Sequence, residues 1–194
     1  MDLSPRYSRA IAAIDELLVK LRLEWTFVGS IARAAWLGGV VDGGSIDVVA
    51  LMKPEQKNQV AMMASNRGFH VDREEIDRTE ELDLVPLHFD DVRVHVLVAS
   101  NALYAKMIGA ARTVNGIRVA APEDLALLLM LSEDAAGVRD LMSKPEFDRA
   151  RYNEILISIG LGGRVIPTLS EAKGRDPLGD GDSSPPDAAR NDTR

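Results

Sequence analysis

Apolar positions along the chain change their spacing several times, and each change marks an element. Ile11, Ile14, Leu18 and Leu21 recur at helical spacing behind Ser4-Pro5, a start signal in which Ser can cap and Pro suits the first turn. They predict a helix over about 5–22, with Arg9, Glu16 and Lys20 on its wet side. Residues 25–28 read as a buried strand, Gly29-Ser30 as a corner, 31–37 as a short helix and 45–51 as a second strand. Pro54 opens a helix to about Arg67, with Val60, Met63 and Ala64 inward, and Gly68 ends it. Residues 69–71 suit a brief strand. The dense charge run 72–81 is expected as a solvated loop or an exposed helical turn.

Residues 84–89 and 92–99 read as a hairpin across Asp90-Asp91. A two-residue loop sets Phe89 opposite Val92, Leu87 opposite Val94 and Val85 opposite Val96, which makes one continuous apolar face. The other face then holds His88 beside Arg93 and His95 beside Pro86. That polar stripe suits a sheet face lining a cleft or the wet side of an edge hairpin. A helix over 101–111 and a strand over 116–119 follow. Pro122 starts a helix with Glu123 and Asp124 in its first turn, where the dipole favours acids, and its continuation LALLLML is apolar all round and must be buried. Further helices are expected over 133–142 and 146–159. From about Thr168 almost nothing is available to bury, so a disordered tail is expected over 168–194. The order of elements implies an α+β (α/β-like) core over 1–120 with a helical C-terminal part over 121–167.

Composition narrows the function classes. At 194 residues and 46% hydrophobic, one domain with a real core is expected. The formal net charge of −7 argues against a dedicated nucleic-acid binder, although a local basic groove stays open. The absence of cysteine removes disulfides and thiolate-bound zinc. No apolar run reaches the length of a membrane span and no signal segment opens the chain, so a soluble cytoplasmic protein without membrane contact is expected.

The candidate chemistry lies between residues 25 and 51. A strand that stops on Gly29-Ser30 and turns into a helix leaves free backbone N–H groups and the positive end of the helix dipole, a ready anion site. Gly-Ser at such a corner also has a purely conformational explanation. Asp47 is a lone carboxylate in an apolar strand, costly unless paired, hydrogen-bonded or metal-bound. It is read either as a site residue or as a partner of Arg33, Arg93 or a helix start. Ser45, two residues earlier, shares its face. His95 is read either as a general base or as a hydrogen-bonded sheet histidine.

Val28-Gly29-Ser30, Ser45-Ile46-Asp47-Val48, Arg93-Val94-His95-Val96-Leu97 and the segment GIRVAAPEDLALLLML at 116–131 stand in an order that resembles the nucleotidyltransferase superfamily, within it the minimal and AbiEii-toxin-like branches. The resemblance spans roughly residues 11–156. It implies a nucleotidyltransferase-type mixed sheet packed by helices and a nucleoside triphosphate as ligand. Gly29, Ser30, Ser45 and Arg93 would contact the nucleotide, Asp47 and His95 would hold the catalytic positions, and Asp47 would hold a weakly bound Mg²⁺. The superfamily's pattern has an acid-apolar-acid pair and a third acid on a later strand. Here Ser45 replaces the first acid and His95 the third. Val41 and Gly43 stand where the AbiEii-like pattern has Arg and Thr, and Leu129 falls about where a Lys is common.

Two Mg²⁺ ions about 4 Å apart, bridged by shared carboxylates, are the usual charge sink for such transfer. One Asp can support a single nucleotide-borne Mg²⁺, whereas imidazole suits Mn²⁺ or Zn²⁺ better. The resemblance therefore implies a bacterial-type nucleotidyltransferase fold with a degenerate metal site, binding a nucleotide or a protein partner, from a toxin–antitoxin or accessory system. Two alternatives stay open. One is an active enzyme moving a nucleoside monophosphate from NTP to a protein, RNA or small-molecule hydroxyl. The other is a purely structural or interaction protein.

Overall fold

The computed structural model describes residues 1–78 and 83–162, so the expected tail and the end of the charge run lie outside the described residues. The elements are β1 (Asp2–Leu3), α1 (Pro5–Lys20), β2 (Glu24–Phe27), α2 (Gly29–Leu37), β3 (Val40–Val41), β4 (Ser45–Leu51), α3 (Lys57–Ser65), β5 (Phe69–His70), α4 (Arg73–Arg78), β6 (Leu84–Phe89), β7 (Val92–Val98), α5 (Ala102–Gly109), β8 (Arg112–Val114), β9 (Ile117–Val119), α6 (Pro122–Leu131), α7 (Ala135–Met142) and α8 (Arg149–Ser158). Seven strands form one mixed sheet in the order β5-β6-β7-β4-β2-β9-β8, and β1 pairs with β3 in parallel beside it. Among the described residues no helix is long and apolar enough to cross a membrane.

Alternation decides which side of the sheet is core. Ile46, Val48 and Ala50 of β4 and Val92, Val94, Val96 and Val98 of β7 share one core with Ile14, Leu17 and Leu18 of α1, Ile31 of α2 and Leu125 of α6. Each Val, Leu or Ile of this set contributes about 1.5–3 kcal/mol by leaving water, and a one-residue slip would turn the whole set outward. The hairpin register is the one the apolar face demands: Phe89 opposite Val92, Leu87 opposite Val94 and Val85 opposite Val96. On the reverse side, α5 covers only one end of the sheet, burying Val28, Val49, Ala99, Met107, Ile108 and Ala120. Arg118 fixes α5 there, donating from Nη2 to the Ile108 carbonyl at 2.8 Å and from Nε to the Trp25 carbonyl at 2.8 Å. The other end of that face is left to polar residues.

Several details differ from the sequence-based expectation. Ser4 occupies the N-cap position of α1, but its hydroxyl makes no capping bond and is buried without a partner. Pro54 begins a 3₁₀ turn, Pro54–Gln56, and the α-helix starts only at Lys57. The short strand after α5 has a partner, β8, joined to it through Asn115-Gly116 with φ of 51° and 79°, the geometry for which Asn-Gly is favoured. Glu123 and Asp124 stand in the first turn of α6 as expected, and both are fully buried. Arg151 of α8 reaches Glu123 Oε2 through Nη1 and Asp124 Oδ2 through Nη2, each at 2.5 Å, and the Asp148 N–H donates to Glu123 Oε1 at 2.7 Å. This cluster fastens α8 to the start of α6.

Candidate functional site

The turn out of β2 is fitted against β4 atom by atom. The Val28 N–H donates to the Asp47 carbonyl at 2.9 Å. Gly29 follows at φ +58°, and a Cβ there would lie 2.6 Å from Asp47 Oδ2, so the corner needs glycine for both backbone and space. Ser30 Oγ donates to the Ser45 carbonyl at 3.1 Å. The first turn of α2, whose N–H groups have no partners within the helix, is thus held directly beside Asp47.

Parallel pairing of β4 with β7 sets Ser45 opposite Arg93 and Asp47 opposite His95. Ser45 Oγ donates to Asp47 Oδ1 at 2.9 Å, and His95 Nδ1 meets the same oxygen at 2.9 Å. Burial pushes the Asp47 carboxyl up, but hydrogen bonds from His95 and Ser45, with the charges of His95 and Arg93, outweigh it and hold the group below the usual carboxylate range. An ionised carboxylate only accepts, so His95 donates Nδ1–H and directs Nε2 away from Asp47. The two side chains are 27% and 29% exposed, which leaves the pair open to solvent on one side.

All three histidines of the chain share this sheet face. Cross-strand pairing lines up His70, His88, Arg93 and Ser45 in one row and Pro86, His95 and Asp47 in the next. His88 Nε2 lies 3.1 Å from Glu75 Oε2 of α4, and the His70 ring centroid is 6.3 Å from that of His88. Part of the charge run expected as solvent-facing thus supplies a partner to this face. The hairpin register alone could place His88 and His95 together; only the docking of α4 on β6 brings in Glu75. Arg93 is exposed and makes no ion pair among the described residues. Arg33, weighed as a partner for Asp47, pairs instead with Asp134 at 2.6 Å. It lines a shallow cleft of about 270 Å³ with Ser30, Val41, Asp42 and Gly43, on the flank of the Gly-Ser corner.

The donors at this place are one carboxylate, one hydroxyl and one imidazole. Among the described residues, no three His, Asp or Glu side chains gather into a set able to hold a metal ion. One oxygen of Asp47 already accepts two hydrogen bonds. The set does not fit a pair of Mg²⁺ ions, which needs shared hard carboxylates.

No protein-family model matches the chain, and no curated protein matches it. Solved structures do. The crystal structure of ANT(2'')-Ia in complex with adenylyl-2''-tobramycin aligns with a TM-score of 0.51 at 14% identity, covering 78% of this chain and 95% of its own. The solution structure of the same antibiotic-resistance factor aligns at 0.52 and 14%, covering 79% and 92%. A nucleotidyltransferase-like protein from Paracoccidioides brasiliensis aligns at 0.41 and 15%, covering 87% and 92%. Mixed sheet, flanking helices and the two likenesses above a TM-score of 0.5 together establish the architecture: the chain has a nucleotidyltransferase-type fold.

Proposed function

We propose that this protein binds a nucleoside triphosphate beside the Gly29-Ser30 corner and has weak or no transferase activity, its metal site being degenerate. One observation carries the reading: Asp47 abuts the corner at Gly29, and the two side chains bonded to it, Ser45 and His95, stand where the resemblance expects acids. The anion-binding half of the site is intact in backbone and helix placement. The cation-binding half has one carboxylate in place of three. The minimal, AbiEii-like branch and a toxin–antitoxin or accessory setting are the context that the sequence motifs favour, with a protein partner as the second ligand class.

Two measurements on the purified chain test this. Millimolar NTP should raise the unfolding midpoint, since a ligand that prefers the folded state stabilises it by about 2.7 kcal/mol at a hundredfold excess over Kd. No shift would leave a scaffold without a nucleotide site. Incubation with labelled NTP and Mg²⁺ or Mn²⁺ should leave no label on protein, RNA or small hydroxyl acceptors. Robust transfer abolished by Asp47→Ala would establish an active enzyme and overturn the proposal.

A further inference from the structure

The cleft on the flank of the Gly29-Ser30 corner has a single cation among the residues that line it, Arg33. Ser30 and Arg33 stand three residues apart on α2 and so share the face that forms its wall. Asp42, the other charged lining residue, is taken by Arg6. Arg33 is taken as well, by a carboxylate 101 residues further along the chain: its Nη1 donates to Asp134 Oδ2 at 2.6 Å.

Three features fix that carboxylate in place. Asp134 is the N-cap of α7, and its Oδ1 accepts from the Gly137 N–H at 2.8 Å. Gly137 lies inside α7, where glycine is unfavourable and no positive φ calls for it. A Cβ there would stand 2.7 Å from Asp134 Oδ2 and 2.9 Å from Leu129 Cδ1, so glycine makes the room that the carboxylate occupies. The turn leading in is held by the Asp134 N–H on the Leu129 carbonyl at 2.8 Å. It passes through Glu133 at φ 62°, a left-handed conformation that few side chains adopt. The hydrogen bond from Gly137, with the charge and hydrogen bond of Arg33, keeps the Asp134 carboxyl below the usual range, so it is ionised at neutral pH.

A carboxylate so held occupies Arg33 as a bound anion would. We infer that Asp134 is a built-in counter-anion that sets the affinity of this cleft: a triphosphate reaching past Ser30 must share Arg33 with Asp134 or draw the guanidinium off it. This rests on the reading that a nucleoside triphosphate binds beside the corner, and it names the residue that limits how tightly. The two side chains of the pair are 44% and 26% exposed, the regime in which ion pairs are weak enough to yield. Phosphate offers a guanidinium the same bidentate geometry as carboxylate. Asp134 is locked by its cap and by the space at Gly137, so the partner free to move is Arg33. Since Asp134 belongs to α7 and Arg33 to α2, occupancy of the cleft and the contact between these two helices oppose each other, and the opposition is reciprocal.

Calorimetric titration of the full chain with ATP and Mg²⁺ tests this through two substitutions that keep the cap. Asn and Ser both serve at an N-cap, so Asp134→Asn and Asp134→Ser remove the charge and retain an acceptor for Gly137. The unfolding midpoint of each should stay close to that of the unaltered chain. Both should bind ATP about threefold more tightly, the scale of a half-exposed ion pair. Inorganic triphosphate should show the same gain, because the competition is for phosphate. Arg33→Ala should weaken ATP binding about threefold and abolish the gain from Asp134→Asn, since the effect passes through that guanidinium. Unchanged or weaker ATP binding in both Asp134 variants overturns the inference and leaves the nucleotide site standing. A gain that persists alongside Arg33→Ala, or that appears for ATP and not for inorganic triphosphate, overturns the competition for Arg33. Binding of ATP neither to the unaltered chain nor to the Asp134 variants overturns the nucleotide reading as well.

Discussion

Glu123 and Asp124 at the start of α6 and Asp47 in β4 all lie in apolar elements, but the molecule treats them differently. The α6 pair is sealed: both carboxylates are fully buried and share the guanidinium of Arg151, with the Asp148 N–H completing the set. Burial dominates there, and it pushes the Asp124 carboxyl up despite the hydrogen bond and charge of Arg151. Asp47 is half open, held by a neutral hydroxyl and an imidazole, and its carboxyl is pushed down. The sealed cluster can only hold α8 against α6, because no atom of Glu123 or Asp124 can meet a ligand. The open one keeps a carboxylate ionised, an imidazole oriented and an exposed guanidinium on the same face. The comparison separates architecture from chemistry by accessibility and partner type, since charge alone occurs in both.

The largest effect should come from the sealed cluster. Arg151→Ala strands two buried carboxylates and should destabilise the protein by about 3–5 kcal/mol in denaturant unfolding, with nucleotide-induced stabilisation retained in whatever remains folded. A loss below about 1 kcal/mol would mean that the cluster is not the clamp described. Gly29→Ala comes next. It forces a side chain into the left-handed region and a Cβ onto Asp47 Oδ2. The backbone alone should cost about 1–2 kcal/mol in thermal unfolding, and the nucleotide-induced shift should disappear with the displaced carboxylate. A retained shift would remove Gly29 from the site.

The smallest effect concerns pH. The folded-state value of Asp47 lies below its unfolded value, so the unfolded chain takes up the proton first. Its contribution to stability is therefore present above the unfolded value and is lost as pH falls through the folded one. Asp47→Asn should flatten the acid limb of the stability curve below about pH 4, measured by urea unfolding across pH. Asp124 works with the opposite sign, its raised value adding stability only toward low pH. An unchanged acid limb in Asp47→Asn would show that the Ser45 and His95 bonds do not hold the carboxylate down.

Much of the sheet was legible in the chain. The apolar alternation of the hairpin admits one register, and β4 has the bounds that its pattern predicts. The Gly29-Ser30 corner could be placed because a strand that ends on glycine before a helical pattern has few other solutions. What stayed hidden depends on partners distant in sequence. Ser4 has the right residue type for a cap, yet its hydroxyl makes no capping bond, and nothing in its neighbours announces that. The charge run of α4 gives no local sign that Glu75 meets His88. The two acids opening α6 suit a solvent-facing first turn as well as a buried one, and only the arrival of Arg151 decides.

By itself, then, the sequence determined strands β2, β4, β5, β6, β7 and β9, the helices other than α4, the hairpin register and the presence of a lone carboxylate behind a Gly-Ser turn, because these follow from backbone preferences and period within a few residues, whereas β1, β3 and β8 exist through their pairing partners. Tertiary structure alone decided which carboxylates are sealed and which remain open. Asp47 meets His95 across 48 residues of chain and Asp124 meets Arg151 across 27. Burial, charge compensation and accessibility are properties of such assembled neighbourhoods, and the cost of an uncompensated charge exists only once the low-dielectric surroundings have formed around it.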